Sequence, residues 1–342
     1  MNVVRFGIVG LGRLGKIHAE NLARNIVGSV LVAACSVADS ELDYARKFLG
    51  VTETFSDFDK MVQSGLIDAV AIVSPSGLHV THIHAALKAG KHVFCEKPLG
   101  LNGDEIMEAI QVIEAYPKQV FMLGFMRRYD ESYQYAKQMV DDGKIGELTV
   151  VRSYGIDPSS GMESFVKFTK RSNSGGLFAD MSIHDIDLVR WFTGSEVASV
   201  WALGNNKAYP ELDDVGELET GAAMLELKDQ TIAMLVAGRN ASHGYHVETE
   251  LIGTKGMLRI ANIPEKNLVT IYDETGAVRP ISQNFPERFK QAFIAEMQEF
   301  IACINEKRQP EVTAIDGLNA TLVAQACQKS WETKELVKVE EI

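Results

Sequence analysis

Residues 3–22 read VVRFGIVGLGRLGKIHAENL and decide the fold of the first part of the chain. The apolar run Val3–Val9 ends at a glycine, which is typical of a buried parallel strand. Gly10–Gly15 follows at once as G-x-G-x-x-G, and Lys16–Arg24 continues with helical spacing. Strand, glycine pattern and helix in direct succession predict a dinucleotide-binding turn, whereas the pattern alone would also fit an ordinary strand-to-helix turn.

Each glycine of this turn has a separate physical role. Gly10 permits the tight turn, Gly12 lets the backbone approach a pyrophosphate, and Gly15 lets the helix pack closely on the strand. The start of the helix offers backbone N–H groups and a partial positive charge to the phosphates. We therefore predict that the cofactor contacts these glycines together with Arg13 and Leu14.

Strand and helix segments keep alternating through residues 1–122, which predicts a doubly wound parallel sheet, a Rossmann-type dinucleotide-binding domain. The further strand segments are Val30–Ser36, Ala69–Ser74, His92–Cys95 and Val120–Gly124, and the helical segments are Ser40–Leu49, Thr81–Ala89 and Asn102–Ala115.

The rhythm changes in residues 123–342, where several strands are joined by short turns. That succession predicts a second, α+β domain built on a largely antiparallel sheet, for substrate binding and oligomerisation, and the overall class is α/β. Helices are predicted at Asp130–Asp142, Gly176–Phe192 and Glu287–Asn305, and the last helix, Ala314–Glu332, is expected to return to the first domain. The strand segments are Leu148–Tyr154, Val197–Leu203, Thr220–Leu227, Ile232–Arg239, Val247–Ile252 and Met257–Ile260.

Composition excludes several classes of function. The chain has 342 residues and a net charge of −12, without the clustered Lys and Arg that nucleic acid requires. No apolar stretch is long enough to cross a bilayer, so no membrane association is expected. The four cysteines are scattered and lie at no zinc-binding spacing, so we expect no metal, and a reducing, cytoplasmic location.

The end of the second predicted strand bears on the choice of cofactor. Ser36 stands where an acidic residue often binds the ribose hydroxyls, and Asp39 lies three residues on. No Arg or Lys occurs in residues 36–43 to meet a 2′-phosphate, so NAD is favoured over NADP. Asp39 fits equally well as a helix N-terminal charge.

Two further strand ends are predicted to border the cofactor. Ser74 closes the strand that precedes His79. His79 fits either a cofactor contact or a cap of the following helix, and we interpret it as the cap. Glu96 and Lys97 close the next strand, where ligands of open α/β sheets bind. Lys97 there fits either a donor to a reacting hydroxyl or a surface lysine at a strand end.

Asp180 and His184 lie four residues apart in the predicted helix Gly176–Phe192. A carboxylate beside an imidazole orients the ring for proton transfer, although such i,i+4 pairs often only stabilise a helix. Asp185 and Asp187 fall on other faces of this helix and are interpreted as solvated or capping charges.

Taken together, these motifs resemble the glucose–fructose oxidoreductase and inositol dehydrogenase family over nearly the whole chain. Within it, the chain looks most like the inositol 2-dehydrogenases. The residues that carry the resemblance are the Gly10–Gly15 loop, Glu96-Lys97-Pro98, Gly124-Phe125-Met126-Arg127-Arg128-Tyr129-Asp130, Gly175-Gly176 with Asp180-x-x-x-His184, and Gly244-Tyr245.

The resemblance implies a catalytic triad of Lys97, Asp180 and His184. In it His184 is the general acid/base, Asp180 orients it, and Lys97 donates to the reacting hydroxyl. Arg127 and Tyr245 are implied as substrate contacts, whereas Arg128 is expected to form a structural ion pair.

Asp157 stands where inositol dehydrogenases often carry an amide with a histidine nearby, and Gly155 stands near that histidine's position. We expect Asp157 to contact substrate, but this departure leaves the polyol open.

The expected function is NAD-dependent oxidation of a cyclic polyol, with myo-inositol going to 2-keto-myo-inositol (scyllo-inosose). Two alternatives stay open: a dehydrogenase of scyllo-inositol or an aldose, and a dinucleotide-sensing protein without chemistry. The sheet of the second domain is expected to carry self-association, and the resemblance favours a tetramer.

Overall fold

The computed structural model describes residues 2–169, 175–260 and 265–342. The chain divides into two compact units, of which the first consists of Met1–Tyr129 and Gln291–Leu318. The second consists of Asp130–Lys290 and Asn319–Ile342. The structure divides the chain at other positions than the sequence-based boundary at 122/123, because residues 123–129 and 291–318 are part of the first unit.

The first unit contains a six-stranded sheet in which all paired neighbours are parallel. Its strands are β1 (Val4–Val9), β2 (Ser29–Cys35), β3 (Glu53–Phe55), β4 (Ala69–Ile72), β5 (His92–Glu96) and β6 (Phe121–Gly124). Their order is β3-β2-β1-β4-β5-β6. This is the doubly wound order of dinucleotide-binding sheets, with the reversal between β1 and β4, as the alternating sequence pattern predicted.

Five helices follow the strands of this sheet. They are α1 (Arg13–Glu20), α2 (Asp39–Leu49), α3 (Phe58–Gln63), α4 (His79–Lys88) and α5 (Gly103–Ala115). A π-helical turn, Asn21–Asn25, continues α1. The short elements β3 and α3 were not predicted, because three and six residues are too few to show a period.

The second unit is built on a seven-stranded sheet. Its strands are β7 (Leu148–Pro158), β8 (Val197–Asn205), β9 (Thr220–Leu227), β10 (Ile232–Ala241), β11 (His246–Gly253), β12 (Met257–Ile260) and β15 (Val337–Lys338). A separate hairpin is formed by β13 (Ile271–Asp273) and β14 (Gly276–Val278). The order is β12-β11-β7-β10-β9-β8-β15, and only the β7–β10 pair is parallel among the described pairings. The prediction of a largely antiparallel sheet is confirmed.

The remaining helices are α6 (Glu131–Asp141), α7 (Met162–Thr169), α8 (Ile183–Thr193), α9 (Phe285–Arg288), α10 (Lys290–Glu306) and α11 (Ala314–Thr333). Helix α10 belongs to the first unit because its apolar residues join that core: Met297, Phe300 and Ile301 pack in one cluster with Phe6 and Phe94. The division between the units falls within α11. Among the described helices, none is both long and apolar enough to cross a membrane.

Candidate functional site

The glycine loop shows which of its positions the fold itself requires. Gly10 has a φ of +87°, and a Cβ there would lie 2.3 Å from the carbonyl oxygen of Val73. A Cβ at Gly15 would lie 2.0 Å from the carbonyl oxygen of Gly10. A Cβ at Gly12 would meet nothing within 4 Å. Gly10 and Gly15 are therefore packing requirements, whereas Gly12 leaves open space beside the backbone, as a bound pyrophosphate needs.

The first turn of α1 suits an anion. It begins with Arg13 and Leu14, carries no acidic residue, and its N-cap, Gly12, supplies no side-chain oxygen. The positive end of the helix dipole is therefore not offset by a carboxylate. The residues that are present thus fit a dinucleotide phosphate.

Two carboxylates flank the end of β2. The Ser36 hydroxyl donates to Oε2 of Glu41 over 2.5 Å and accepts the backbone N–H of Ala38. Asp39 is exposed in the first turn of α2. Negative charge at this place suits ribose hydroxyls and repels a 2′-phosphate. Glu41 was missed in the sequence, since it lies inside a predicted helix rather than at the strand end.

Ser74 follows β4 and makes two contacts with histidines of α4. Its hydroxyl hydrogen bonds to Nδ1 of His82 over 2.9 Å, and its carbonyl oxygen lies 2.9 Å from Nε2 of His79. The second ring nitrogen of His79 lies 2.7 Å from the carbonyl oxygen of Pro98. His79 therefore ties the loop after β4 to the segment after β5.

The sequence pattern also predicts that His82 and His84 are solvated residues of helix α4. Two sequence interpretations of the histidines of α4 are wrong. His79 does not cap a helix: it is 1% exposed, and burial lowers the pKa of its ring. His82 is not a solvated helix residue, because it packs on the ring of Phe58 and its burial lowers its pKa to about 4. His84 is exposed, as the sequence predicted. The helical pattern did not reveal that α4 turns two histidines towards the loop that follows β4.

Glu96 and Lys97 stand at the carboxyl end of β5. The Lys97–Pro98 peptide bond is cis, and Lys97 is half-buried. Glu96 is buried: one carboxylate oxygen lies 2.6 Å from Nε2 of His18, and the other accepts the backbone N–H of Lys97 over 3.2 Å. Contacts of the buried Glu96 carboxylate therefore fix the backbone of Lys97.

Two arginines lie in the short 3₁₀ turn Met126–Tyr129 that follows β6, and both are buried. Arg128 donates to Oδ1 of Asp316 over 2.9 Å, which confirms the expected structural ion pair. Arg127 is 3% exposed. Its role as a substrate donor stays a prediction.

In the second unit, Asp180 and His184 lie on either side of a change in helix type. The sequence predicted one regular helix over Gly176–Phe192, but the structure has a π-helical turn at Phe178–Ser182 that runs into α8. Asp180 lies in the π turn and accepts a hydrogen bond from Nη1 of Arg239 over 2.8 Å. His184 is the second residue of α8 and is 8% exposed. Because π turns are frequent at functional sites, this local change supports a special role for the segment.

The two acids that follow His184 are buried, so their interpretation as solvated charges is wrong. Asp185 and Asp187 are each 1% exposed. Asp185 accepts the hydroxyl of Ser153 on β7 over 2.5 Å. This contact fixes the start of α8, and thereby the backbone of His184, against the sheet.

Asp157 lies on β7, and Tyr245 immediately precedes the neighbouring strand β11. The antiparallel register pairs His246 of β11 with Ile156 of β7, so Tyr245 and Asp157 are the next positions along the two strands. The parallel register pairs Gly238 of β10 with Ile156, which places Arg239 beside them. Tyr245 is 3% exposed. The partner of Asp180 therefore stands at the same end of the sheet as two predicted substrate contacts.

The structure thus assembles the predicted residues in two groups, one in each unit. In the first unit, the glycine loop, Ser36, Ser74 and Lys97 stand at the carboxyl ends of parallel strands, which share one edge of the sheet. In the second unit, Asp157, Asp180 with its partner Arg239, and Tyr245 lie around adjacent strand ends, and His184 opens α8.

Sequence reasoning missed Arg239, His18 and Glu296. Arg239 stands at the end of a predicted strand, where a buried cation signals an acidic partner. His18 and Glu296 lie on helices and are fully buried. Each is a polar residue on an otherwise apolar helix face, and that was the available signal.

Comparison with known proteins covers both units. Residues 4–125 match the family model described as oxidoreductase family, NAD-binding Rossmann fold, and residues 133–259 match the GFO/IDH/MocA C-terminal domain. Myo-inositol 2-dehydrogenase from Thermotoga maritima is 33% identical over 341 residues, covering 99% of each chain.

Two solved structures are similar over nearly the whole chain. Scyllo-inositol dehydrogenase from Lactobacillus casei, with bound NAD(H) and scyllo-inositol, is 60% identical with a TM-score of 0.97, and the match covers 99% of this chain and 100% of that one. Myo-inositol 2-dehydrogenase from Lactobacillus plantarum is 48% identical with a TM-score of 0.96, and the match covers 98% and 99%.

Proposed function

The chain belongs to the GFO/IDH/MocA family of NAD-dependent oxidoreductases, and we propose that it oxidises an inositol ring to its ketone. The observation that carries this proposal is similarity over nearly the full length to dehydrogenases of two inositol epimers. The chain also has Lys97, Asp180 and His184, the three residues that the family resemblance implies as the catalytic triad. An alcohol dehydrogenase needs a loop that binds the hydride-accepting cofactor and a side chain that accepts the proton of the hydroxyl.

The cofactor-binding residues of this proposal lie in the first unit. NAD, when bound, accepts the hydride. Its pyrophosphate would rest on the glycine loop at Gly12, and its ribose hydroxyls would meet Ser36 and Asp39. The carboxylates of Asp39 and Glu41, with no Lys or Arg in residues 36–43, favour NAD over NADP.

The proton of the reacting hydroxyl would go to His184. A ring nitrogen of a neutral imidazole accepts a proton near neutral pH, and a carboxylate beside it stabilises the charge that forms. Asp180 is suited to that role because its ion pair with Arg239 fixes the direction of its carboxylate. Lys97 would donate to the oxygen as negative charge develops on it.

The ring itself would be held by the polar groups at the strand ends of the second unit. Asp157 accepts hydrogen bonds from hydroxyls and Tyr245 can donate or accept, and the family resemblance implies Arg127 as a further donor to substrate. Myo-inositol and scyllo-inositol differ in the configuration at one carbon. Oxidation at that carbon gives the same ketone from both, so preference between them must arise from how the ring is held.

We propose scyllo-inositol as the preferred epimer. The sequence motifs favoured myo-inositol, but the scyllo-inositol dehydrogenase is 60% identical to this chain and the myo-inositol 2-dehydrogenases are 48% and 33% identical. This difference in overall identity is what supports the choice of epimer.

The test is a substrate panel with both directions of the reaction. NADH formation is measured with scyllo-inositol, myo-inositol and glucose, and the shared ketone is then reduced with NADH and the product epimer identified by NMR. We expect the highest kcat/KM with scyllo-inositol and scyllo-inositol as the reduction product. Oxidation of glucose alone would overturn the inositol assignment. NADH binding without turnover of any polyol would favour the dinucleotide-sensing alternative.

We also propose that the second unit's sheet carries self-association, with a tetramer as the expected state. The outer residues of β8, β9 and β10 form an exposed apolar strip, in which Trp201 pairs with Met224 and Met224 pairs with Met234. A contiguous exposed apolar area of this kind marks an interface. Light scattering should show an oligomer that Met224→Glu weakens, while Lys228→Glu outside the strip serves as the control.

A further inference from the structure

Three buried titratable side chains meet inside the first unit, below the strand end that carries Lys97. They are His18 of α1, Glu96 at the end of β5, and Glu296 of α10, and each is 5% exposed or less. One ring nitrogen of His18 and one carboxylate oxygen of each glutamate all lie within 4.8 Å of one another. His18 Nε2 lies 2.6 Å from Glu96 Oε1, a hydrogen-bonding distance. We call these three residues the buried trio.

The surroundings of the buried trio are apolar. The rings of Phe94 and Phe293 stand 5.3 and 5.4 Å from the ring of His18. A Cβ at Gly124 would lie 3.2 Å from Glu96 Oε2, so the absence of a side chain there makes room for the carboxylate. Charged groups in such a place destabilise the fold unless they are paired, and their presence points to a role beyond stability.

Glu296 differs from its two neighbours. Neither of its carboxylate oxygens has a hydrogen-bond partner among the described residues. Burial, and then the charge of Glu96, raise the pKa of Glu296 well above its ordinary range. Two carboxylates this close cannot both be ionised cheaply, so Glu296 keeps its proton while Glu96 pairs with His18.

The buried trio connects two parts of the cofactor-binding edge. His18 lies one helical turn after Gly15, the last glycine of the loop. Glu96 contacts His18 with one oxygen and the Lys97 backbone N–H with the other. A continuous set of contacts therefore runs from the helix of the glycine loop to the backbone of Lys97.

We propose that His18 and Glu296 are positioning residues, which act through Glu96 to fix Lys97 relative to the glycine loop. The inference rests on the proposed dehydrogenase function, in which Lys97 contacts the reacting hydroxyl. Loss of the proton from Glu296 adds a second negative charge beside Glu96 and disturbs this arrangement. Among the described titratable groups, His79 and Cys95 interact electrostatically with Glu96, Tyr129 interacts with Glu296, and Lys97 is the next residue after Glu96 in the chain.

The variants His18→Gln and Glu296→Gln separate positioning from folding. Glu296→Gln preserves the shape of a neutral acid and should leave kcat near neutral pH within about twofold of wild type. His18→Gln removes the ring whose Nε2 contacts Glu96 and should lower kcat by about tenfold, the size of effect typical of groups that orient a reactive neighbour. The dissociation constant of NADH should change little in both variants. The control is His92→Gln, at the opposite end of the same strand.

The pH profile supplies a readout that a purely structural role would not change. Wild-type kcat should decline on the alkaline side where Glu296 ionises, and Glu296→Gln should extend activity to higher pH. An unchanged profile for Glu296→Gln together with an unchanged kcat for His18→Gln would overturn the proposal. Loss of all activity in a correctly folded Glu296→Gln would overturn the neutral-acid role.

A second readout does not depend on turnover. After reductive ¹³C-methylation, the NMR signal of Lys97, assigned by its loss in Lys97→Arg, should shift in His18→Gln and stay in place in His92→Gln. If wild type turns over no polyol but this shift occurs, the proposed function fails and the positioning role stands. Stoichiometric zinc in the purified protein, lost together with activity on chelation, would show instead that the buried trio is a metal site.

Discussion

The Nη1 atom of Arg239 lies 2.8 Å from Oδ2 of Asp180, and this ion pair joins strand β10 to the π-helical turn that precedes His184. Arg239 is 5% exposed, and its guanidinium stands 3.8 Å from the centre of the Phe165 ring. A planar cation confined in this way holds the carboxylate in one orientation. Arg239, a residue on another element, therefore helps to fix the orientation of the Asp180 carboxylate.

Replacement of Arg239 by glutamine should impair catalysis more than cofactor binding. Without the guanidinium, Asp180 loses the charge-assisted bond that orients it, and we expect kcat to fall by about ten- to a hundredfold. Steady-state kinetics with an inositol and an NADH titration separate the two effects. Arg190→Gln is the matched control, because Arg190, itself buried, forms an ion pair with the half-exposed Glu196 in the same unit. Equal losses of kcat in both variants would contradict a specific role for Arg239.

His184→Asn should abolish most turnover while leaving NADH affinity unchanged. Loss of a general base costs about a hundred- to ten-thousandfold in rate, and asparagine retains polarity at this buried position. Pre-steady-state measurement of NADH formation tests the chemical step directly. His243→Asn, at an exposed histidine of the same unit, is expected to behave like wild type. Retention of wild-type kcat by His184→Asn would exclude this histidine as the base.

Cofactor preference should respond to the charges at the end of β2. Asp39→Ser combined with Glu41→Arg removes two carboxylates and introduces a cation where a 2′-phosphate would lie, so the ratio of kcat/KM for NADP to that for NAD should rise. Asp43→Ser, farther along α2, controls for the loss of negative charge alone. An unchanged ratio in the double variant would place the ribose elsewhere.

Acidification should weaken the first unit through His82. Its folded-state pKa of about 4 is below the ordinary value of 6.5, so between these values the unfolded chain binds the proton and the folded chain does not. The free energy of unfolding therefore decreases as pH falls from 6.5 towards 4. In His82→Gln this decrease should be shallower, as urea unfolding at a series of pH values would show. His84→Gln, on the same helix but exposed, should retain the wild-type slope.

The sequence predicted the strands and helices whose apolar residues recur at a regular local spacing. The strand ends near Ser36, Ser74 and Lys97 are predicted to within two residues, because a buried run of apolar residues stops close to where a strand stops. The π turn before His184 was not predictable, since one extra residue in a turn changes the period too little to be seen. The burial of Asp185 was missed for another reason: its partner, Ser153, lies 32 residues away, on β7.

Contacts of long sequence separation account for the other omissions. His18 and Glu96 are 78 residues apart, and Glu296 lies on a helix that the sequence placed in the second domain. No local pattern links such residues, because their contact is created by strand order and helix packing. The same holds for Arg239 and Asp180, which are 59 residues apart.

The clearance between Gly15 and the carbonyl of Gly10 restricts how this protein can diversify. A single methyl group at residue 15 would overlap a main-chain atom, which cannot change rotamer to relieve the clash. The backbone of the glycine loop is therefore fixed where Gly10 and Gly15 meet, and repacking of nearby side chains cannot widen it there. Attempts to redirect the protein towards other dinucleotides or other ring alcohols must act on the bordering strand ends, where side chains rather than backbone define the space.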